Sequence, residues 1–304
     1  MSLAPNPTRI FDRALLAQRR GRVAATAGGH DFLLARASDE LADRLAIVRR
    51  AFPLAANVGA HHGILSRRIK GLGGVENIID LDSTPGLLAQ AAGLRVVADE
   101  EALPFADASL DLVVSALSLQ FVNDLPGALI QIRRALKPDG LFLAALIGGD
   151  SLTELREAFA QAESEVEGGL SPRIAPFADL RDLGALLQRA GFALPVTDSD
   201  RLTVRYDTPF ALMRDLRAMG ATNVLNERRR TPLKRATLLR MAEIYAKRFA
   251  DADGRLRATF EIAWLLGWAP HESQQKPLKP GSATARLADA LGTREIKAGD
   301  KAER

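Results

Sequence analysis

The chain has 304 residues, of which 47% are hydrophobic and 26% charged, ordinary proportions for a globular protein. It contains no cysteine, which excludes disulfides, thiolate metal sites and a cysteine nucleophile. No run of about 18 apolar residues reads as a membrane span. The net charge is +4 and the pI about 9.6, yet only 5% of residues are aromatic. No aromatics interleave with the basic clusters Arg19–Arg20–Arg22, Arg67–Arg68 and Arg228–Arg229–Arg230. These read as solvated helix faces, and no nucleic-acid surface is expected.

In chain order, Ile10, Phe11, Leu15 and Leu16 form an apolar stripe on an N-terminal helix with a basic face. A second amphipathic helix is expected over 39–52, from Leu41, Leu45, Val48 and Phe52. "LAANVG" is a short buried strand, and "GILSRRIKGLG" a helix closed by glycine. "VENIIDLD" is a second strand, followed by a helix with Pro85 in its first turn. "RVVAD" and "SLDLVVSALS" are the third and fourth strands, the latter apolar nearly throughout, as a strand covered on both faces must be. "DLPGALIQIRRAL" is a helix capped by Asn123–Asp124, "KPDG" a turn and "LFLAALI" a fifth strand. Further on, a helix with Asp150 as N-cap and a capping box from Ser151 ends at a diglycine. Three more helices follow, over "DLRDLGALLQRAGF", "DTPFALMRDLRAMG" and "TPLKRATLLRMAEIYAKRF". "ATFEIAWLLGWA" is a late strand.

Strands alternating with helices imply right-handed crossovers and a mostly parallel sheet covered on both faces. Ligands of such sheets bind at the carboxyl ends of the strands. The informative residues are therefore Gly59 to Gly63, Asp82–Ser83, Asp99–Glu100 and the segment from Ser115 to Gln120.

The loop after the first strand reads Asn57–Val58–Gly59–Ala60–His61–His62–Gly63. It lacks the glycine spacing of a dinucleotide fingerprint, and His61 stands where a pyrophosphate needs bare backbone, so NAD and FAD are disfavoured. S-adenosylmethionine has no phosphate and makes other demands: an acidic residue after the second strand for its ribose, and a polar one after the third for its adenine. Asp82 and Asp99 meet them. Each alone has a bland explanation, since Asp–Ser–Thr–Pro is also helix-capping chemistry. Their coincidence on one sheet edge favours the cofactor. The candidate cofactor residues are Asn57, Gly59, Ala60, His61, Gly63, Asp82, Ser83, Asp99, Glu100 and Ser115. Candidate bases are His61, His62, Asp124 and His271, none of them singled out as catalytic. With four histidines in all and no two-His-one-carboxylate pattern, no metal site is expected.

"DSTPGLL" and "DEEALPFADASLDLVVS…LKPDGLFLAA" resemble the core of the class I methyltransferases, a Rossmann-like sheet of seven strands. With "LSLQFVNDLPGAL", "GGDSLTELREAFAQAESEVEGGLSPRIAPFADLRDLGALLQRAGF" and "GWAPHESQQKP", the chain resembles one family of that class, the complex I assembly factors that act as arginine hydroxylases. The resemblance runs from about residue 10 to about residue 292. It implies S-adenosylmethionine as cofactor and a protein substrate, the iron–sulfur subunit of NADH:ubiquinone oxidoreductase. It also implies a cytoplasmic location in a bacterium, compatible with work at the inner membrane. Three departures stand out: Asn57 replaces an acidic residue, His61 replaces a glycine, and Gln120–Phe121 replaces His–Trp. The alternatives are a methyltransferase of a small molecule or acyl-carrier-protein substrate, as in the biotin pathway, and a non-catalytic cofactor-binding scaffold. The expected organisation is a helical extension at 1–38, a cofactor-binding core at 39–149, the rest of the fold at 150–270 and a surface tail at 271–304.

Overall fold

The computed structural model describes residues 9–275 and 286–293. The chain divides into two compact units, Met1–Pro270 and His271–Arg304, and every element below lies in the first. Seven strands form one sheet: β1 (Leu54–Val58), β2 (Asn77–Asp82), β3 (Leu94–Val97), β4 (Leu110–Ala116), β5 (Leu136–Ile147), β6 (Ala193–Tyr206) and β7 (Leu256–Trp268). Their order is β3-β2-β1-β4-β5-β7-β6. The pairs from β3 to β5 are parallel, and β7 runs antiparallel to both β5 and β6. The direction of the chain across the sheet reverses between β1 and β4, which places the ligand crevice over those two strands.

The central strands alternate between two cores. Leu112, Val114, Leu141 and Leu143 face one side, with α2 (Phe32–Ala46), α3 (Ile64–Ile69), α6 (Thr153–Glu167) and α9 (Arg235–Phe249). Val113, Phe142 and Ala144 face the other, against α5 (Leu125–Ala135) and α7 (Leu180–Arg189). Both faces are covered, so these strands carry no polar alternation. The remaining helices of this unit are α1 (Arg13–Val23), α4 (Pro85–Leu88) and α8 (Pro209–Ala218).

Four local expectations are corrected. The helix expected over 39–52 is α2, whose apolar stripe begins at Leu33 and closes at Leu45. "KPDG" is not a free turn: pairing steps from Leu110↔Leu136 to Leu112↔Leu141, so these residues are extruded as a bulge within β5, with Asp139 at φ +64°. The third correction is at the start of α6. Its N-cap is Leu152, and neither Asp150 nor Ser151 caps it. Ser151 instead bonds the backbone of Glu261, and Glu154 accepts from Thr259 N (3.1 Å) and Thr259 Oγ1 (2.6 Å), so the polar residues stitch the helix to β7. The fourth is β6, which the hydrophobic pattern does not announce. It is an edge strand, largely exposed, with Thr197–Arg201 interrupting its apolar residues and Pro195 lying within a register shift.

The Glu154 stitch is testable. Glu154→Ala leaves the Thr259 amide and hydroxyl without an acceptor, and should lower stability by about 1–3 kcal/mol. Urea unfolding of Glu154→Ala and of Glu154→Gln, which retains one acceptor, measures it.

Candidate functional site

The loop from β1 to α3 is built on left-handed backbone. Gly59 has φ +71°, His61 φ +51° and Gly63 φ +74°. A side chain on Gly59 would collide with Ser118, and a Cβ on Gly63 would lie 2.9 Å from that of Ala91. Gly63 thus permits contact with the segment after α4, not with β1. His61 occupies a conformation that glycine adopts freely, and its own contacts hold it there. Its amide donates to Asp82 Oδ2 (2.9 Å), and its Nε2 lies 3.1 Å from the carbonyl of Ala116. Nε2 therefore carries the proton. Burial, with Arg20 and His62 nearby, holds the His61 pKa well below its ordinary value, so the ring is neutral.

The expected acidic residues converge. Asp82 is fully buried at the end of β2 and accepts from the amides of His61 and Thr84. Burial raises its pKa, against the pull of Arg20. Asp99 follows β3 and accepts from Glu101 N (2.8 Å) and Arg13 Nη2 (2.7 Å). Glu100 is buried, pairs with Arg13 and accepts from Ser118 Oγ at 2.8 Å. Burial pushes its carboxyl up, but Arg13 and Arg20 outweigh that and hold it below the ordinary value. Ala60 and Ser115 are buried at the same edge, and Ser115 Oγ has no partner among the described residues. Ser83 is half-buried in the bend after Asp82.

Both arginines come from α1, whose basic face was expected in solvent. The solvated face expected at Arg19–Arg20–Arg22 is corrected at Arg20, which is 4% exposed. The helix is turned inward because its N-terminus is clasped by residues 223–228. Asp12 N donates to Val224 O, Asn226 N to Ile10 O, and Arg228 pairs with Asp12 at 3.1 Å. Phe11, whose burial the apolar stripe indicated, packs edge-on against Phe121.

Asn57 has a counterpart that sequence reasoning missed. Asp80 stands directly opposite it on β2. The Asn57 amide donates to Asp80 Oδ1 (3.0 Å) and Ser66 Oγ (2.9 Å), and Ser66 Oγ donates to Asp80. The carboxylate absent from β1 thus stands on the neighbouring strand. The signal was available: Asp80 is a charged residue inside the apolar run "NIIDLD".

Beside the loop opens a cavity of about 310 Å³, walled by residues such as Leu33, Leu155, Phe159, Met213 and Phe260. Arg20, Asp31, His61, His62 and Gln120 also line it. His62 is buried, its Nδ1 facing Arg67 (3.3 Å) and its Nε2 3.2 Å from Asp31. Asp124 caps α5 through Gly127 N at 2.8 Å, as the sequence indicated, while Asn123 bonds Phe11. His271 bonds Ser273 in the second unit.

Residues 56–144 match the family model of a methyltransferase domain, whose cofactor is S-adenosylmethionine. The chain is 38% identical to the mitochondrial arginine-hydroxylase NDUFAF5 of Mus musculus, over 99% of this chain and 89% of that one. The human protein of that name is 39% identical, with 95% and 85% covered. The chain belongs to the NDUFAF5 arginine-hydroxylase family. It is also 33% identical to a malonyl-[acyl-carrier protein] O-methyltransferase of Laribacter hongkongensis, over 86% of this chain and 90% of that one. Among solved structures, the YcgJ protein of Bacillus subtilis superposes with a TM-score of 0.54 at 16% identity, covering 77% of this chain and 98% of the other. That likeness shows the fold. Among the described residues of this family member, no helix is long and apolar enough to cross a membrane.

The cofactor's chemistry fits the donor set. Asp82, Asp99 and Glu100 are acceptors for hydroxyl and amino groups, and Arg20 is a buried cation facing the adjoining cavity. Arg13 pairs with both Asp99 and Glu100, which orients the two carboxylates at the edge.

The Asn57–Asp80 pair gives a pH test. Asn57→Asp sets a second carboxyl beside Asp80, whose pKa burial already raises. Like charges push the folded-state pKa of the pair further above the unfolded value of about 4. The associated stability is present below that value and lost as pH rises through the folded pKa. The variant should therefore be less stable than wild type at pH 7 by about 1–3 kcal/mol, the gap closing toward about pH 4. Urea titrations across that range measure it.

Proposed function

We propose that this protein binds S-adenosylmethionine at the carboxyl edge of its sheet and acts on an arginine of a protein subunit during assembly of NADH:ubiquinone oxidoreductase. The observation that carries the reading is the convergence of Asp82, Asp99 and Glu100 at strand ends beside a cavity that His61 and Arg20 line. The near-full-length likeness to proteins named arginine-hydroxylase supports the substrate class. The iron–sulfur subunit is the partner we infer from that family, and a bacterial cytoplasm the compartment.

Asp82 and Asp99 would hold the ribose and adenine. Gly59, Ala60 and Gly63 shape the loop that passes beneath, with Asn57 and Ser83 supporting it. When bound, the cofactor supplies a sulfonium-activated methyl group. The apolar walls of the cavity exclude water, and positioning in such a site contributes up to about 7–11 kcal/mol to a reaction barrier. With Nε2–H committed to Ala116, the basic nitrogen of neutral His61 is Nδ1, and burial beside Arg20 and His62 makes it a weak base by holding its pKa well below the ordinary value. His62, with Nδ1 facing Arg67 and Nε2 toward Asp31, is a positioned group whose role is to order the cavity wall.

A second reading has its own observation. Among the described residues, Asp31 is the single carboxylate in the cavity lining, against three arginines. Such a cavity suits an anionic acyl substrate, as the names of the carrier-protein methyltransferases suggest.

Mass spectrometry of the iron–sulfur subunit from cells with and without this protein separates the readings. An oxygen gained by one arginine, dependent on the protein, is expected; an unchanged subunit rejects the arginine reading. For the cofactor, Asp82→Asn should weaken S-adenosylmethionine binding by about tenfold or more in calorimetry, from lost charge-assisted bonds.

A further inference from the structure

Arg20 is a cation without an anion in contact. It is 4% exposed, and its Nη1 makes one long hydrogen bond, to Ser118 Oγ at 3.4 Å. Among the described residues no carboxylate oxygen comes within 4.0 Å of its guanidinium nitrogens. Its nearest acidic neighbours are already served: Asp82 by two backbone amides, Glu100 by Arg13 and Ser118. The Arg20 Cζ stands 5.5 Å from the centre of the Phe121 ring, a contact that cushions a cation but does not neutralise it. Burying a guanidinium is costly unless it is paired and hydrogen-bonded.

The placement is built, not incidental. Gly220, at φ +69°, lets the chain pass against α1 at this residue; a Cβ there would lie 3.1 Å from Arg20 Cγ and 3.2 Å from its Cα. Arg20 lines the cavity, and so does Gln120, whose Oε1 is buried with no donor among the described residues. A planar cation and an amide oxygen, both wanting partners, line one cavity next to the cofactor loop.

We propose that Arg20 is the carboxylate receptor of this site, binding an incoming carboxylate through its guanidinium fork. Two ligands offer that group: the amino-acid end of S-adenosylmethionine, whose ammonium would suit Gln120 Oε1, and an acceptor bearing a carboxylate on an apolar chain. The first rests on the cofactor reading above; the second stands without it.

Calorimetry on the full chain distinguishes them with three probes. S-adenosylhomocysteine carries the amino-acid end, 5′-methylthioadenosine lacks it, and octanoate offers only a carboxylate on an apolar chain. If the cofactor supplies the carboxylate, Arg20→Gln weakens S-adenosylhomocysteine by about tenfold or more and leaves 5′-methylthioadenosine unchanged, and Arg20→Lys restores part of the loss. If the acceptor supplies it, both nucleosides bind the variant as they bind wild type, and octanoate binding is lost. Equal binding of all three probes by wild type and Arg20→Gln, with only the melting temperature lowered, overturns the proposal and makes Arg20 a structural counter-ion. Wild-type protein that binds neither nucleoside rejects the cofactor reading separately, and octanoate then decides the role of Arg20.

Discussion

Carboxylates at the carboxyl edge of a parallel sheet are costly to bury, and this protein buries Asp82 and Glu100 completely and half-buries Asp99. Arg13 pairs with Asp99 and Glu100, while two backbone amides hold Asp82, with Arg20 nearby. Those cations sit on α1, a helix outside the alternating strand–helix core, and its position depends on the 223–228 segment that clasps its start. Withdraw that clasp and the edge loses both guanidinium groups at once. The order of cause runs from desolvation, to the inward turn of α1, to the shape of the adjoining cavity. Removing a single partner from such a buried network is far more damaging than its net contribution to stability suggests.

All strands of the sheet except the exposed edge strand β6 were legible from sequence, because their signals are strong and local. Apolar runs of strand length ended at glycine or aspartate, and Asp82 and Asp99 fell at strand ends by simple counting. The clusters that matter most at the edge were not legible in the same way. Arg20 belongs to a run of arginines whose periodicity suits a wet surface, and nothing within twenty residues announces a cavity beneath it. Its burial follows from contacts with residues about two hundred positions away. Ser151 and Glu154 formed a good capping pattern that a long-range partner, β7, took over. Local propensity lost to tertiary hydrogen bonding in each case.

Asn57 shows how register supplies chemistry that one strand lacks. Strand pairing places residue 57 beside residue 80, so the Asp80 carboxylate lies one strand spacing away, about 4.7–4.9 Å. Read along β1, no charge is found; read across the sheet, one stands alongside. The loop that follows holds His61 in left-handed backbone through neighbouring strands too, its amide on Asp82 of β2 and its ring on Ala116 of β4.

The clasp on α1 also bears on how the molecule is made. Domains emerge from the ribosome N-terminus first, at about 5–20 residues per second. The strands of the crevice, through Ile147, are synthesised well before Val224 to Arg228 exist to hold the first helix in place. Until they do, α1 lacks the hydrogen bonds and the ion pair that fix its start. Completion of the edge therefore waits on a contact between segments about two hundred residues apart, which is among the later contacts in this unit that synthesis makes available.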